Sequence, residues 1–140
     1  MFHELKRKIR VFISSKIDKK YTPIRRQLQY LLLETGLYDD PFAFEEEYAS
    51  SIETVNFYLT GLDDAHVVVF LIDNKDGVSA GVREEYQFAK RKDNLRKIYI
   101  FCEERSKRKT DIQEELEQKL GEKYATCSNF YEMAEWHISV

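Results

Sequence analysis

The sequence predicts an α/β fold, a flavodoxin-like three-layer sandwich in which a parallel five-stranded sheet of order 2-1-3-4-5 lies between two layers of helix. Two observations carry this expectation. Segments rich in β-branched and aromatic residues alternate about five times with segments of helical periodicity. The run His66 to Ile72 (HVVVFLI) is continuously apolar rather than alternating, which is what a strand covered on both faces requires. Right-handed crossovers then distribute the helices over both faces of the sheet. With 140 residues, the chain is expected to form one domain over 1–140.

Each element has its own warrant. Lys8 to Ser15 (KIRVFISS) reads as a first strand ending in two small hydroxyl residues. Thr22 as N-cap, Pro23 at the first helical position and Gly36 as terminator frame a helix over Pro23 to Thr35, with Ile24, Leu28, Leu31 and Leu32 on one face. Pro41 to Phe44, leading into Glu45, reads as a second strand. Ser50-x-x-Glu53 has the form of a capping box, and Ile52, Val55, Leu59 and Leu62 follow at helical spacing. His66 to Ile72 is the third and central strand. Asp73 to Gly81 reads as a loop, after which Val82, Tyr86, Ala89 and Lys90 line one side of a third helix. Arg96 to Phe101 is a fourth strand. Thr110-x-x-Gln113 opens a helix that stops at Gly121, and Tyr124 to Cys127 gives a short last strand before a helix containing Met133 and Trp136.

Bulk properties remove several classes of function. The amino terminus lacks the apolar core of a signal peptide, and the run Val67 to Ile72 is too short to span a bilayer, so a cytoplasmic protein without membrane contact is expected. A net charge of -3 argues against general affinity for nucleic acid, and the basic cluster Arg105, Lys107, Arg108 and Lys109 reads as a solvated loop. Cys102 and Cys127 show no metal-ligand spacing, and His3, His66 and His137 show no H-E-x-x-H pattern, so no metal is expected. Where a dinucleotide fingerprint would place glycines, after the first strand, the chain has Ser14-Ser15-Lys16; the P-loop motif is missing too.

In an open parallel sheet, ligands bind beyond the carboxyl ends of the strands. That rule picks out Ser14 and Ser15, Glu45, Asp73, and Cys102 with Glu103. The two serines either cap a turn or bind a phosphate or sugar hydroxyl. Glu84 and Glu85 either complement the positive end of a helix dipole or, in the case of Glu85, which shares a helical face with Val82 and Ala89, turn inward toward a cleft. A carboxylate so placed can serve as nucleophile or as stabiliser of an oxocarbenium-like sugar centre.

Val11-Phe12-Ile13-Ser14-Ser15-Lys16-Ile17, Arg25-Arg26, Phe44-Glu45, Tyr58-Leu59, Asp64-Ala65-His66-Val67-Val68 and Glu85-Tyr86-Gln87-Phe88-Ala89 together resemble a bacterial and archaeal domain family of unknown function with an F-I-S-S opening and an E-Y-x-x-A helix. That family is similar to nucleoside 2-deoxyribosyltransferases and to Toll/interleukin-1 receptor (TIR) domains. The resemblance spans about two-thirds of the chain, from Arg10 to Glu103, and implies a TIR-like or deoxyribosyltransferase-like fold. It implies a catalytic glutamate at Glu85, four residues before the small Ala89, and substrate-binding roles for Ser14, Ser15, Glu45, Asp73 and Tyr86. The implied activity is cleavage or transfer of an N-glycosidic bond, with NAD or a nucleoside as substrate and no resident cofactor, in bacterial signalling or defence. The alternative is a catalytically inactive TIR-like module that binds a nucleotide or oligomerises, as a homo-oligomer or beside a separate effector protein.

Overall fold

In the computed structural model the described residues are 9–16, 19–34, 42–43, 62–103, 108–128 and 130. The strands are β1 (Val11–Ser15), β2 (Phe42–Ala43), β3 (Val67–Asp73), β4 (Arg96–Cys102) and β5 (Ala125–Cys127), and the helices are α1 (Thr22–Glu34), α2 (Ala80–Lys90) and α3 (Asp111–Glu115). Four strands make up the body of a parallel sheet in the order β1, β3, β4, β5; the two-residue β2 pairs with β1 at Phe12 and Ile13. β3 is central, flanked over its length by β1 and β4, and Val68 and Phe70 are fully buried. No helix among the described residues is long and apolar enough to cross a membrane.

Alternation along the strands divides the core in two. Phe12, Val68, Phe70, Ile72, Tyr99 and Phe101 pack against Val82, Tyr86 and Ala89 of α2 and Ile112 of α3. On the opposite face, Val11, Ile13, Val69, Leu71 and Ile100 pack against Ile24 and Leu28 of α1. Helices thus cover both faces, which explains why β3 is apolar at every position from Val67 to Ile72 rather than at every second one.

The boundaries differ from expectation where a local hydrogen bond wins. α1 begins one residue early because the Tyr21 carbonyl accepts the first helical bond from the Arg25 amide, at 2.9 Å. α2 begins at Ala80, inside the expected loop Asp73 to Gly81, because the Ser79 hydroxyl caps it by accepting from the Val82 amide. The Thr110 cap is present, its hydroxyl accepting from the Gln113 amide. Beyond α3 the chain widens into a π turn over Leu116–Leu120, closed by Gly121 in the left-handed conformation; hydrophobic spacing does not register that widening. Lys109, expected in a merely solvated loop, is ion-paired with Glu117 at 2.7 Å. Gly36, Glu45, Ser50 to Leu59, Arg105, Lys107, Met133 and Trp136 lie outside the described residues; of the expected second helix, Leu62 and Asp63 are described and helical.

Candidate functional site

The carboxyl end of β1 places two consecutive serines in a buried position, Ser14 at 1% and Ser15 at 5% exposure. Successive strand residues point to opposite faces, so the two hydroxyls meet different helices. Ser14 Oγ donates a hydrogen bond to Glu85 Oε1 on α2 at 2.7 Å. Ser15 Oγ accepts from an Arg25 guanidinium nitrogen on α1 at 3.1 Å, and the same nitrogen donates to the Lys16 carbonyl.

Glu85 follows from the phase of α2. Val82, Tyr86 and Ala89 form the buried stripe, Glu85 lies at its margin, and Glu84 is exposed. Burial pushes the Glu85 carboxyl up to about 7; the Ser14 hydrogen bond and the Arg25 charge act against that rise, and the Glu84 charge adds to it. Among the described residues Oε2 has no hydrogen-bond partner. The residue as a whole is intermediate in exposure, while its carboxyl is strongly desolvated. The arrangement is a carboxyl with one oxygen oriented by a hydroxyl and a proton affinity near neutrality, which suits acid, base or nucleophilic work.

The other expected site residues are distributed differently. Asp73, at the end of β3, is buried, but its Oδ2 accepts from Lys20 Nζ at 2.5 Å and its Oδ1 from the Lys75 amide. Lys20 also pairs with Asp76, whose Oδ2 accepts from the Tyr21 hydroxyl at 2.9 Å. Burial and the bond to Asp76 both raise the Tyr21 phenol. This cluster ties the segment after β1 to the turn after β3, so Asp73 acts in a loop brace. Tyr86 is not brought to the Ser14–Glu85 pair. It is buried edge-on against the stacked rings of Phe70 and Tyr99, and its hydroxyl donates to Glu115 Oε2 at 2.6 Å, because the helical phase that leaves Glu85 at the margin turns its neighbour into the core. Glu45 lies outside the described residues. Among the described residues no group of three His, Cys, Asp or Glu side chains is placed to hold a metal ion.

Sequence reasoning missed two parts of this region. Arg25 is 2% exposed, and the signal was present: Tyr21, Ile24, Arg25 and Leu28 follow the i, i+3, i+4, i+7 spacing of a buried stripe, with an arginine inside it. The second part is a chain of amides at the ends of β3 and β4. Asn74 Nδ2 donates to Gln113 Oε1 at 2.7 Å, and Gln113 Nε2 donates to Glu103 Oε1 at 2.6 Å. The carboxylate accepts only, which fixes the direction of the chain and leaves Asn74 Oδ1 as a buried acceptor with no partner. The Thr110-x-x-Gln113 spacing suggested a reciprocal cap, but the Gln113 side chain turns to Asn74 and Glu103 instead.

Residues 10–139 match the family described as Domain of unknown function (DUF4062). No curated protein matches the chain.

Proposed function

The chain belongs to the domain family of unknown function DUF4062, and from that premise we propose that it binds a nucleotide or nucleoside at the carboxyl end of the sheet and cleaves or transfers an N-glycosidic bond. The observation that carries this reading is the Ser14–Glu85 pair, a desolvated carboxyl held by one hydroxyl at 2.7 Å. Its location suits the rule for ligands in open parallel sheets. The reading takes Phe42–Ala43 as part of a full second strand, giving the flavodoxin-like order 2-1-3-4-5, and leans on the resemblance of the F-I-S-S and E-Y-x-x-A segments to deoxyribosyltransferases and TIR domains.

In this mechanism the ionised Glu85 presents Oε2 to the anomeric carbon, as nucleophile or as charge partner of the oxocarbenium-like centre. Ser14 fixes the carboxyl rotamer through Oε1, and Arg25 holds part of the carboxyl population ionised at neutral pH by its charge. The substrate is NAD or a nucleoside, and no resident cofactor is needed.

A second reading has its own support. Ser15 and Asp73 are already engaged by Arg25 and Lys20, which favours a module that binds a nucleotide or assembles with copies of itself or an effector, without turnover. Incubating wild type, Glu85→Gln and Glu84→Gln with NAD and with deoxynucleosides separates the two. On the enzymatic reading, turnover falls by orders of magnitude in Glu85→Gln with folding intact, and Glu84→Gln changes it little. Equal turnover in wild type and Glu85→Gln would remove the role assigned to Glu85. Absence of turnover in wild type, with a nucleotide-dependent rise in melting temperature, would favour the binding module.

A further inference from the structure

The chain's two cysteines are Cys102 and Cys127, and the sheet brings them together. Cys102 ends β4, Cys127 ends β5, and the two are directly paired in the parallel register. Paired residues of adjacent strands project to the same face, and neighbouring strands lie about 4.8 Å apart. That separation falls in the range of about 4.4 to 6.8 Å between Cα atoms that a disulfide spans. The hydrogen bonds show that each sulfur leans toward the other strand. Cys102 Sγ donates to the Ser128 carbonyl, beyond β5, at 3.1 Å, and Cys127 Sγ donates to the Phe101 carbonyl on β4 at 3.9 Å. Both cysteines are thiols.

From this register and these crossing contacts we infer that Cys102 and Cys127 are a two-electron redox pair, a modification site whose oxidising substrate is a hydroperoxide. Exposure assigns the roles. Cys127 is partly exposed and meets the oxidant, whereas Cys102 is buried at 3% exposure and reacts second. The Cys127 sulfur attacks the peroxide, the O–O bond breaks, and Cys127 becomes a sulfenic acid as water or an alcohol departs. Cys102 Sγ then attacks that sulfur; the S–S bond forms, and the sulfenic oxygen leaves as water with the Cys102 proton. The two thiols lose two electrons and the peroxide gains them. β5 is three residues long, so it can make the small shift that closure requires without disturbing β3. Cys102 is also in register with Asp73, so the pair lies at the same carboxyl end of the sheet as the loop brace. The inference does not depend on the glycosidic reading.

The test uses the full chain, dilute and native, treated with one equivalent of hydrogen peroxide, then unfolded in N-ethylmaleimide and weighed intact. The expected product is a monomer lighter by two hydrogen atoms and carrying no maleimide. Cys102→Ser should instead give a sulfenic acid on Cys127 that dimedone captures, and Cys127→Ser should keep an alkylatable Cys102. The same treatment in urea should form the bond more slowly, because the fold no longer holds the strands in register. Two alkylated thiols in treated wild type, a disulfide found only between molecules, or an equal rate in urea would each overturn the inference.

Discussion

Replacing Glu85 by glutamine should make the protein more stable at neutral pH, and the gain should vanish in acid. Burial raises the Glu85 carboxyl from its ordinary 4.5 to about 7. Across that window the folded carboxyl keeps a proton that the unfolded chain releases, so the stability Glu85 contributes is full below pH 4.5 and is lost as pH rises through 7. Each pH unit of displacement corresponds to about 1.4 kcal/mol, so the whole window amounts to about 3 kcal/mol. That is an upper bound, since the residue is intermediate in exposure and water screens its charge. Glutamine keeps the shape and can still accept from Ser14, but it has no proton to lose. The variant and wild type should therefore unfold alike near pH 4 and diverge up to pH 8. At about 3 °C per kcal/mol for a chain of this size, the variant's melting temperature should lead by up to about 10 °C. Melting both proteins at half-unit steps from pH 4 to 8 reads the difference directly, and the ionisations common to both cancel. A difference that is flat with pH, or a wild type that gains on the variant as pH rises, would refute the burial assigned to this carboxyl.

Arg25→Met removes the charged donor to Ser15 Oγ and to the Lys16 carbonyl, which retain the 3.3 Å hydrogen bond between them; losing the hydrogen bonds of that charged donor should cost about 1.5 to 3 kcal/mol. It also removes the charge that lowers Glu85, so the same pH series should place the Glu85 window above 7; an unmoved window would disconnect the two residues. Val69→Asp puts an unpaired carboxyl into the central strand, between Ile13 and Ile98. It should cost several kcal/mol against a total stability of about 5 to 15 and leave the protein insoluble, whereas a soluble variant with a cooperative melt would contradict the packing.

The sheet and its direction were legible because β3 is apolar at every position from Val67 to Ile72, a pattern few alternatives produce. The inward lean of Glu85 was legible from its spacing to Val82 and Ala89. A motif names neighbours in sequence, and one helical step of about 100° leaves Glu85 at the margin of the buried stripe and turns Tyr86 into the core. Asp73 stands at the strand end that the ligand rule selects, yet no spacing announces Lys20 as its partner, since the pairing closes a contact between two separate loops. The amide chain through Gln113 was hidden for the same reason: its members come from just beyond β3, just beyond β4 and α3, and only the folded register aligns them.

The opposite facing of Ser14 and Ser15 limits how β1 can vary. Deleting or inserting a single residue between Val11 and Ser14 would turn the strand half a revolution, handing the hydroxyl now beside Glu85 to Arg25 and the reverse, while every apolar side chain of β1 changed layers. A two-residue change would preserve the facing and move only the height of the pair along the strand.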